Sequence, residues 1–106
     1  MLEKYIQLKK RYDELEQDLQ NPAIIGDQNK LKTVAQEYDD LKETVEIITR
    51  LENIEKNIGE NQAIIVSGDD PELTEMAEAE LPELQTAREQ LEEELKMLTI
   101  PKDLLD

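Results

Sequence analysis

The residues of this sequence that could perform chemistry are acidic, and their spacing favours helix capping over catalysis. Asp69-Asp70-Pro71-Glu72 places three carboxylates within four residues, a density that could bind a cation. Calcium loops need ligands at alternating positions and a bidentate Glu at the far end, and that spacing is absent. Asp70 as N-cap, Pro71 at the first helical position and Glu72 in the first turn are instead typical of a helix start.

The other carboxylates show no arrangement suited to paired catalysis. Glu92, Glu93 and Glu94 are consecutive, so their side chains fan around a helix, and Asp39 and Asp40 point in different directions. The chain has no His and no Cys, which removes the commonest general base and metal ligand and the thiol nucleophile. We therefore predict that the chain is not an enzyme and has no catalytic, cofactor-binding or metal-binding residues and no cofactor.

The charge of the chain restricts its partners. The net charge is −15, and residues 57–87 contain eight acids and neither Lys nor Arg. Phosphate backbones repel such a surface, because nucleic-acid affinity comes mainly from Lys and Arg. The basic cluster, Lys4, Lys9, Lys10 and Arg11, is the one candidate for phosphate contact, and we interpret it as pairing with acids of the same chain. We predict no broad nucleic-acid binding and basic partners.

The elements that position these groups follow from a ladder of apolar residues at heptad spacing. Such spacing keeps one narrow apolar seam on the same side of a helix. The three runs of the ladder are Tyr5, Leu8, Tyr12, Leu15, Leu19; Leu31, Val34, Tyr38, Leu41, Val45, Ile48; and Ala77, Leu81, Leu84, Arg88, Leu91, Leu95, Leu98. The pattern indicates long helices that pack against one another.

The sequence predicts an all-α fold, an elongated antiparallel three-helix bundle with coiled-coil-like packing. Asn21-Pro22 ends the first helix, since the residue before proline is disfavoured in the α region. Both connections are short, which makes neighbouring helices antiparallel. We expect Ile24 or Ile25, or both, to pack under the end of the bundle. The predicted helices span about residues 2–20, 27–66 and 70–100 of a single domain, 1–106.

Several local features of the two longer helices can be predicted. Asp27 is a suitable N-cap for the second helix. Its seam steps by three twice over residues 48–54, a stammer that predicts a bend or a change of packing partner. Gly59 weakens this helix, and the apolar run 63–66 is interpreted as its last buried turn. Pro82 should bend the third helix.

The composition gives expectations about compartment and packing. No run of about 18 apolar residues could span a membrane, and the first residues lack a signal-peptide pattern. With no Cys and therefore no disulfide, a cytoplasmic location is expected. The thin seams should bury little surface, so we expect marginal stability and at most weak self-association.

Several segments resemble bacterial class-1 peptide chain release factors. Residues 70–77, Asp-Pro-Glu-Leu-Thr-Glu-Met-Ala, followed by Glu80-Leu81, are similar to the family's DPE-xx-EMA-xx-EL segment. Residues 91–103 resemble the LE-x-x-L-x-x-LLLPKDP stretch that ends the family's first domain, and residues 35–41 resemble its S-x-EYA-x-L helix. The resemblance covers essentially the whole chain, and the Pro-Lys-Asp ending is similar to the factor that reads UAA and UAG.

The resemblance implies a helical first domain that helps place the factor near the stalk base of the large ribosomal subunit. It also implies an influence on release of the factor by the class-2 factor. The Gly-Gly-Gln loop for ester hydrolysis and the stop-codon-reading tripeptide of the family have no counterpart here, so none of those residues is carried over. We expect an excised segment or a gene fragment that does not hydrolyse peptidyl-tRNA by itself.

Two other interpretations of the sequence stay open. The chain could be a free-standing acidic helical scaffold or protein-interaction module that shares only the periodicity of the family. It could also be an acidic coiled-coil dimer, which light scattering would distinguish from a monomer. The ribosomal contact residues do not follow from the sequence.

Overall fold

The computed structural model describes residues 1–101, and within that part of the chain the fold is all α-helical. The prediction of an all-α fold is therefore confirmed, whereas the antiparallel bundle geometry stays a prediction. No helix in the described part is long and apolar enough to cross a membrane. The helices are α1 (Glu3–Asp18), α2 (Pro22–Ile25), α3 (Gln28–Ser67) and α4 (Pro71–Leu98).

The starts of both long helices are capped by the acids that the sequence predicts. The Oδ1 atom of Asp27 accepts hydrogen bonds from the backbone N–H of Asn29 at 3.1 Å and of Lys30 at 3.2 Å. Before α4, Oδ1 of Asp70 accepts from the N–H groups of Glu72 at 3.0 Å and Leu73 at 3.3 Å. These bonds satisfy donors that the first helical turn leaves without intrahelical partners.

The connection between the first two predicted helices contains a short helix that the sequence prediction missed. Asn21 caps α2, since its Oδ1 accepts from the N–H of Ala23 at 3.0 Å, and Pro22 occupies the first turn. Of the two isoleucines expected to pack inward, Ile24 is half-buried and Ile25 is 50% exposed. The expectation of inward packing is therefore partly confirmed for Ile24 and not confirmed for Ile25.

The chain divides into two compact units, Met1–Ile48 and Thr49–Asp106, and the division lies inside α3. It falls at the start of the predicted stammer over residues 48–54, while the helix itself continues without interruption to Ser67. The bend at the stammer stays a prediction. The break in heptad spacing and the division of packing thus coincide in the sequence.

The first unit has a core made by α1 and the first half of α3. Two seam residues of α1, Tyr5 and Leu15, are buried, and Val45 and Ile48 of α3 are buried as well. The core also includes Thr44 and Ile47, which lie outside the heptad seam. They widen the buried stripe to the i, i+3, i+4 pattern of an ordinary packed helix.

The second unit has a thinner core, with Leu51 and Ile58 from α3 and Ala77 and Leu95 from α4. Asn61 is also buried, and its Nδ2 atom has no hydrogen-bond partner among the described residues. Among the described residues of this unit, the core contains no aromatic side chain.

The third seam continues through α4, with an exception at its end. Pro82 lies inside the helix, as predicted, without ending it. Arg88 at its seam position is half-buried, and its Nε atom lies 3.6 Å from a carboxylate oxygen of Glu92. All the predicted seam residues are buried or half-buried except Leu98, which is 38% exposed at the last helical position.

The apolar run at the end of α3 is helical as predicted, but it is not a buried turn. Val66 is 86% exposed, Ala63 is exposed, and Ile64 and Ile65 are half-buried. Four consecutive helical positions spread over about 300° at 3.6 residues per turn, so one neighbouring helix cannot cover all of them. The prediction of a buried last turn is therefore wrong.

Candidate interaction surfaces

The carboxylates at the start of α4 bind backbone and hydroxyl groups of their own segment. Besides the capping bonds of Asp70, the hydroxyl of Ser67 donates to Oδ2 of Asp69 at 2.7 Å. Gly68 between them has φ +61°, a left-handed conformation that closes α3. Across residues 1–101, no group of three or more acidic side chains is placed to hold a metal ion. The capping role predicted for this acidic segment is confirmed by its hydrogen bonds.

The basic cluster on α1 is tied to acids of the same unit through Arg11. Its guanidinium donates to Glu37 of α3 through Nε at 2.7 Å and a terminal nitrogen at 2.9 Å, a bidentate pair. A second acid, Glu14, lies 3.6 Å away. For Arg11, the predicted pairing with acids of the chain is confirmed. The guanidinium of Arg11 is therefore already paired with carboxylates and is not an unpaired charge available to bind phosphate.

This ion pair shifts both titrations in the direction that stabilises the charged forms. The hydrogen bond from Arg11 lowers the pKa of Glu37 below its ordinary value, and the same bond raises the pKa of Arg11 further. Because the carboxyl pKa is depressed in the folded state, its stabilising contribution is present above the unfolded-state pKa. The contribution is lost as the pH falls through the folded-state pKa.

An aromatic pair lies directly beside the ion pair. The rings of Tyr12 and Tyr38 stack with their centroids 4.3 Å apart and their planes 11° from parallel. A hydrogen bond with Tyr12 is the main cause that raises the pKa of Tyr38 to about 12. On α1, the Nζ atom of Lys4 lies 5.2 Å from the ring centroid of Tyr5, within cation–π range. The stacked rings of Tyr12 and Tyr38 join α1 to α3, whereas the contact of Lys4 with Tyr5 lies within α1.

An open groove lies where α3 ends and α4 begins, in the second unit. Its volume is about 340 Å³. Both helices and the three-residue connection between them contribute to its walls. The lining residues are Ala63, Ile64, Ser67, Asp69, Asp70 and Leu73.

Large apolar side chains are exposed on the same segment. Val66 is 86% exposed, Met76 is 66% exposed and Leu73 is 48% exposed. Leu73 and Met76 are three residues apart on α4 and therefore lie on the same side of the helix. We define the α3–α4 end as residues 63–76, which include the groove and these three side chains. Exposed apolar side chains grouped in this way are typical of protein-interaction sites.

A second groove lies in the first unit, at the junction of α2 and α3. Its volume is about 300 Å³, and it is lined by Ile24, Asn29, Lys30, Thr33 and Val34. The lining has two apolar side chains, two uncharged polar ones and one lysine. This groove explains why Ile24 is only half-buried.

The sequence prediction located the acids of the α3–α4 end but missed its exposed apolar surface. The heptad seam of α4 begins at Ala77, which is buried, and Met76 beside it lies off that seam. Two signals in the sequence could have revealed the surface. Residues 63–66 form an apolar run too wide for one seam, and Leu73 and Met76 precede the seam at helical spacing.

Comparisons with known proteins identify the family. The model of the PCRF domain matches residues 8–106. The chain is 38% identical over 103 residues to a peptide chain release factor 1 from Desulfitobacterium hafniense, covering 97% of this chain and 29% of the relative. The chain is 37% identical to the peptide chain release factor 1 of Geobacter sulfurreducens and 39% identical to that of Geotalea uraniireducens. Each alignment again covers 97% of this chain, and 28% of the relative.

The comparison with solved structures gave no match. The chain spans less than a third of the length of the curated relatives that it matches. Its similarity is to the N-terminal region of the bacterial factors. The match to the family model includes nearly the whole sequence, both long helices and the connection between them. The chain therefore belongs to the PCRF domain family of bacterial peptide chain release factors.

Proposed function

We propose that the chain acts in translation termination as a helical domain that helps position a class-1 peptide chain release factor on the ribosome. Its membership of the PCRF domain family and its similarity to release factor 1 over 97% of its length support this role. Asp70, the candidate carboxylate at the start of α4, caps that helix, and Glu37 pairs with Arg11, which supports a positioning role without hydrolysis or codon reading. The observation that carries the proposal is the match to the family model.

The proposed location is the cytoplasm, and the proposed contact is the stalk-base region of the large ribosomal subunit, reached through the full-length factor. The net charge of −15 opposes broad contact with ribosomal RNA. Basic ribosomal proteins are the partners that this charge favours. A contact with the class-2 release factor is a further part of the proposal.

The proposal is tested by exchanging domains. The chain replaces the matching segment of the peptide chain release factor 1 of Geobacter sulfurreducens, and codon-dependent peptide release is measured on ribosomes. We expect the chimera to release peptide with kcat and KM close to those of the parent factor. A factor lacking the segment should keep much of its kcat and show a raised KM, because a positioning domain contributes binding energy.

Two results would contradict the proposal. In the first, the chimera has a KM no better than the factor that lacks the segment. In the second, the isolated chain hydrolyses peptidyl-tRNA, which would place chemistry on residues interpreted as caps and ion pairs.

The alternative function is a free-standing acidic helical scaffold or interaction module. The exposed apolar side chains of the α3–α4 end favour it, because they suit a protein partner without requiring a ribosome. Two results together would support this alternative. The chimera would fail to release peptide, while the isolated chain would be folded and would bind a protein partner.

A further inference from the structure

The α3–α4 end combines three properties. It holds an open groove of about 340 Å³, apolar side chains that water surrounds, and a strong negative charge. The mixed surface differs from an ordinary charged helix face, in which apolar residues lie in the seam and charges lie outside it.

The sequence stretch that forms this surface carries negative charge and no basic residue of its own. Residues 57–87 contain eight acids and no Lys or Arg, so the stretch has a charge of −8. On α4, Met76 has Glu72 four residues before it and Glu80 four residues after it, and both acids are exposed. Residues at this spacing are neighbours on one helix face, so carboxylates flank the methionine on both sides.

The charge decides which class of macromolecule fits this surface. RNA carries a phosphate at each nucleotide and an anionic membrane carries negative headgroups, so both are repelled by the −8 stretch. A second copy of the chain would bring another net charge of −15. A protein segment with apolar side chains and flanking Lys or Arg matches both the exposed apolar residues and the acids.

We propose that the α3–α4 end is a docking surface for a Lys- and Arg-rich apolar segment of a partner protein. The apolar side chains of the segment cover Leu73 and Met76, and its basic side chains lie against Glu72 and Glu80. The proposal deepens the proposed function, on which it rests, by naming the surface and the chemistry of the partner.

The test uses a fluorescent amphipathic peptide of leucine, lysine and arginine as the probe, with binding measured by fluorescence anisotropy. Met76→Gln should weaken binding about fivefold, because it removes part of the apolar area that the peptide buries. Met97→Gln is the matched control, since Met97 is also on α4 and is 60% exposed against 66% for Met76. The control should bind as the unchanged chain does.

The charge component has its own matched pair of variants. Glu72→Gln with Glu80→Gln should weaken binding about threefold at low salt, in line with two exposed ion pairs. Glu89→Gln with Glu94→Gln makes the same change of net charge on α4 outside the stretch 57–87, and should have little effect. Circular dichroism of each variant confirms that the helices are retained.

Several results would overturn the proposal. The first is that Met76→Gln and Met97→Gln weaken peptide binding equally. The second is that the two double charge variants weaken it equally. Either result would show non-specific attraction to an acidic chain. Others are no peptide binding, tighter binding of a single-stranded RNA or of phosphatidylserine vesicles, or self-association that Met76→Gln abolishes. If the peptide fails to bind while the chimera releases peptide normally, the docking surface is wrong and the proposed function stands.

Discussion

Two glycines of the chain should respond in opposite ways to the same substitution. Gly59 lies in the interior of α3, and a Cβ atom added there would meet no atom within 4 Å. Gly59→Ala therefore adds neither a clash nor a buried contact, and only the helix propensity changes. Alanine is favoured over glycine in a helix interior by about 0.8–1.0 kcal/mol. We expect the free energy of unfolding to rise by about that amount.

Gly68 provides the matched substitution at the end of the same helix. Its φ of +61° is the left-handed conformation, and an added Cβ would lie an unstrained 3.9 Å from the carbonyl oxygen of Ile65. Gly68→Ala therefore costs backbone strain alone, about 1–2 kcal/mol. The stability of this variant should fall.

Both variants are measured by urea unfolding followed by circular dichroism at 222 nm. The urea midpoint should move up for Gly59→Ala and down for Gly68→Ala, and the helical signal of the folded state should stay the same. The result that refutes the reasoning is a lower midpoint for Gly59→Ala. That result would mean that α3 needs glycine at this position, for a bend or for a contact closer than those of the structure.

Three further predictions concern a cap, a titration and the core. Asp70→Ala should lower the free energy of unfolding by about 1 kcal/mol in urea unfolding, because it removes the N-cap of α4, and Asp70→Asn should restore most of it. Because the pKa of Tyr38 is raised to about 12 in the folded chain from about 10, stability should fall as the pH rises through this range. Tyr38→Phe should remove that part of the alkaline loss, as followed by urea midpoints at increasing pH, and an unchanged pH profile would contradict the assignment. Leu95→Ala should cost about 2–5 kcal/mol, since Leu95 is fully buried, whereas Met97→Ala in the same helix should cost little.

The sequence predicts the helices of this chain well where local chemistry determines them. Asp27 and Asp70 are caps because a carboxylate can accept from the first helical N–H groups wherever the chain enters a helix. Asn21-Pro22 has the same arrangement as Asp70-Pro71, yet the sequence interpretation used it only as the end of the first helix. The missed helix α2 follows from applying one capping rule at both sites.

Burial is less predictable than helix formation, because it depends on how many neighbours cover each side of a helix. Thr44 and Ile47 are buried although the heptad seam excludes them, and Val66 is exposed although it is apolar. The periodicity of one helix does not reveal the number of helices around it. The apolar surface of the α3–α4 end escaped prediction for the same reason, whereas its acidic charge is plain in the composition.

The absence of Lys and Arg between Lys56 and Arg88 also has a practical consequence for mapping experiments. Trypsin cleaves only after basic residues, so complete digestion leaves the segment that follows Lys56 and ends at Arg88 as one peptide. That peptide contains the whole α3–α4 end. A crosslink to a partner at this surface would therefore be recovered in a single mass-spectrometric fragment, and a protease that cuts after glutamate would then locate it along α4.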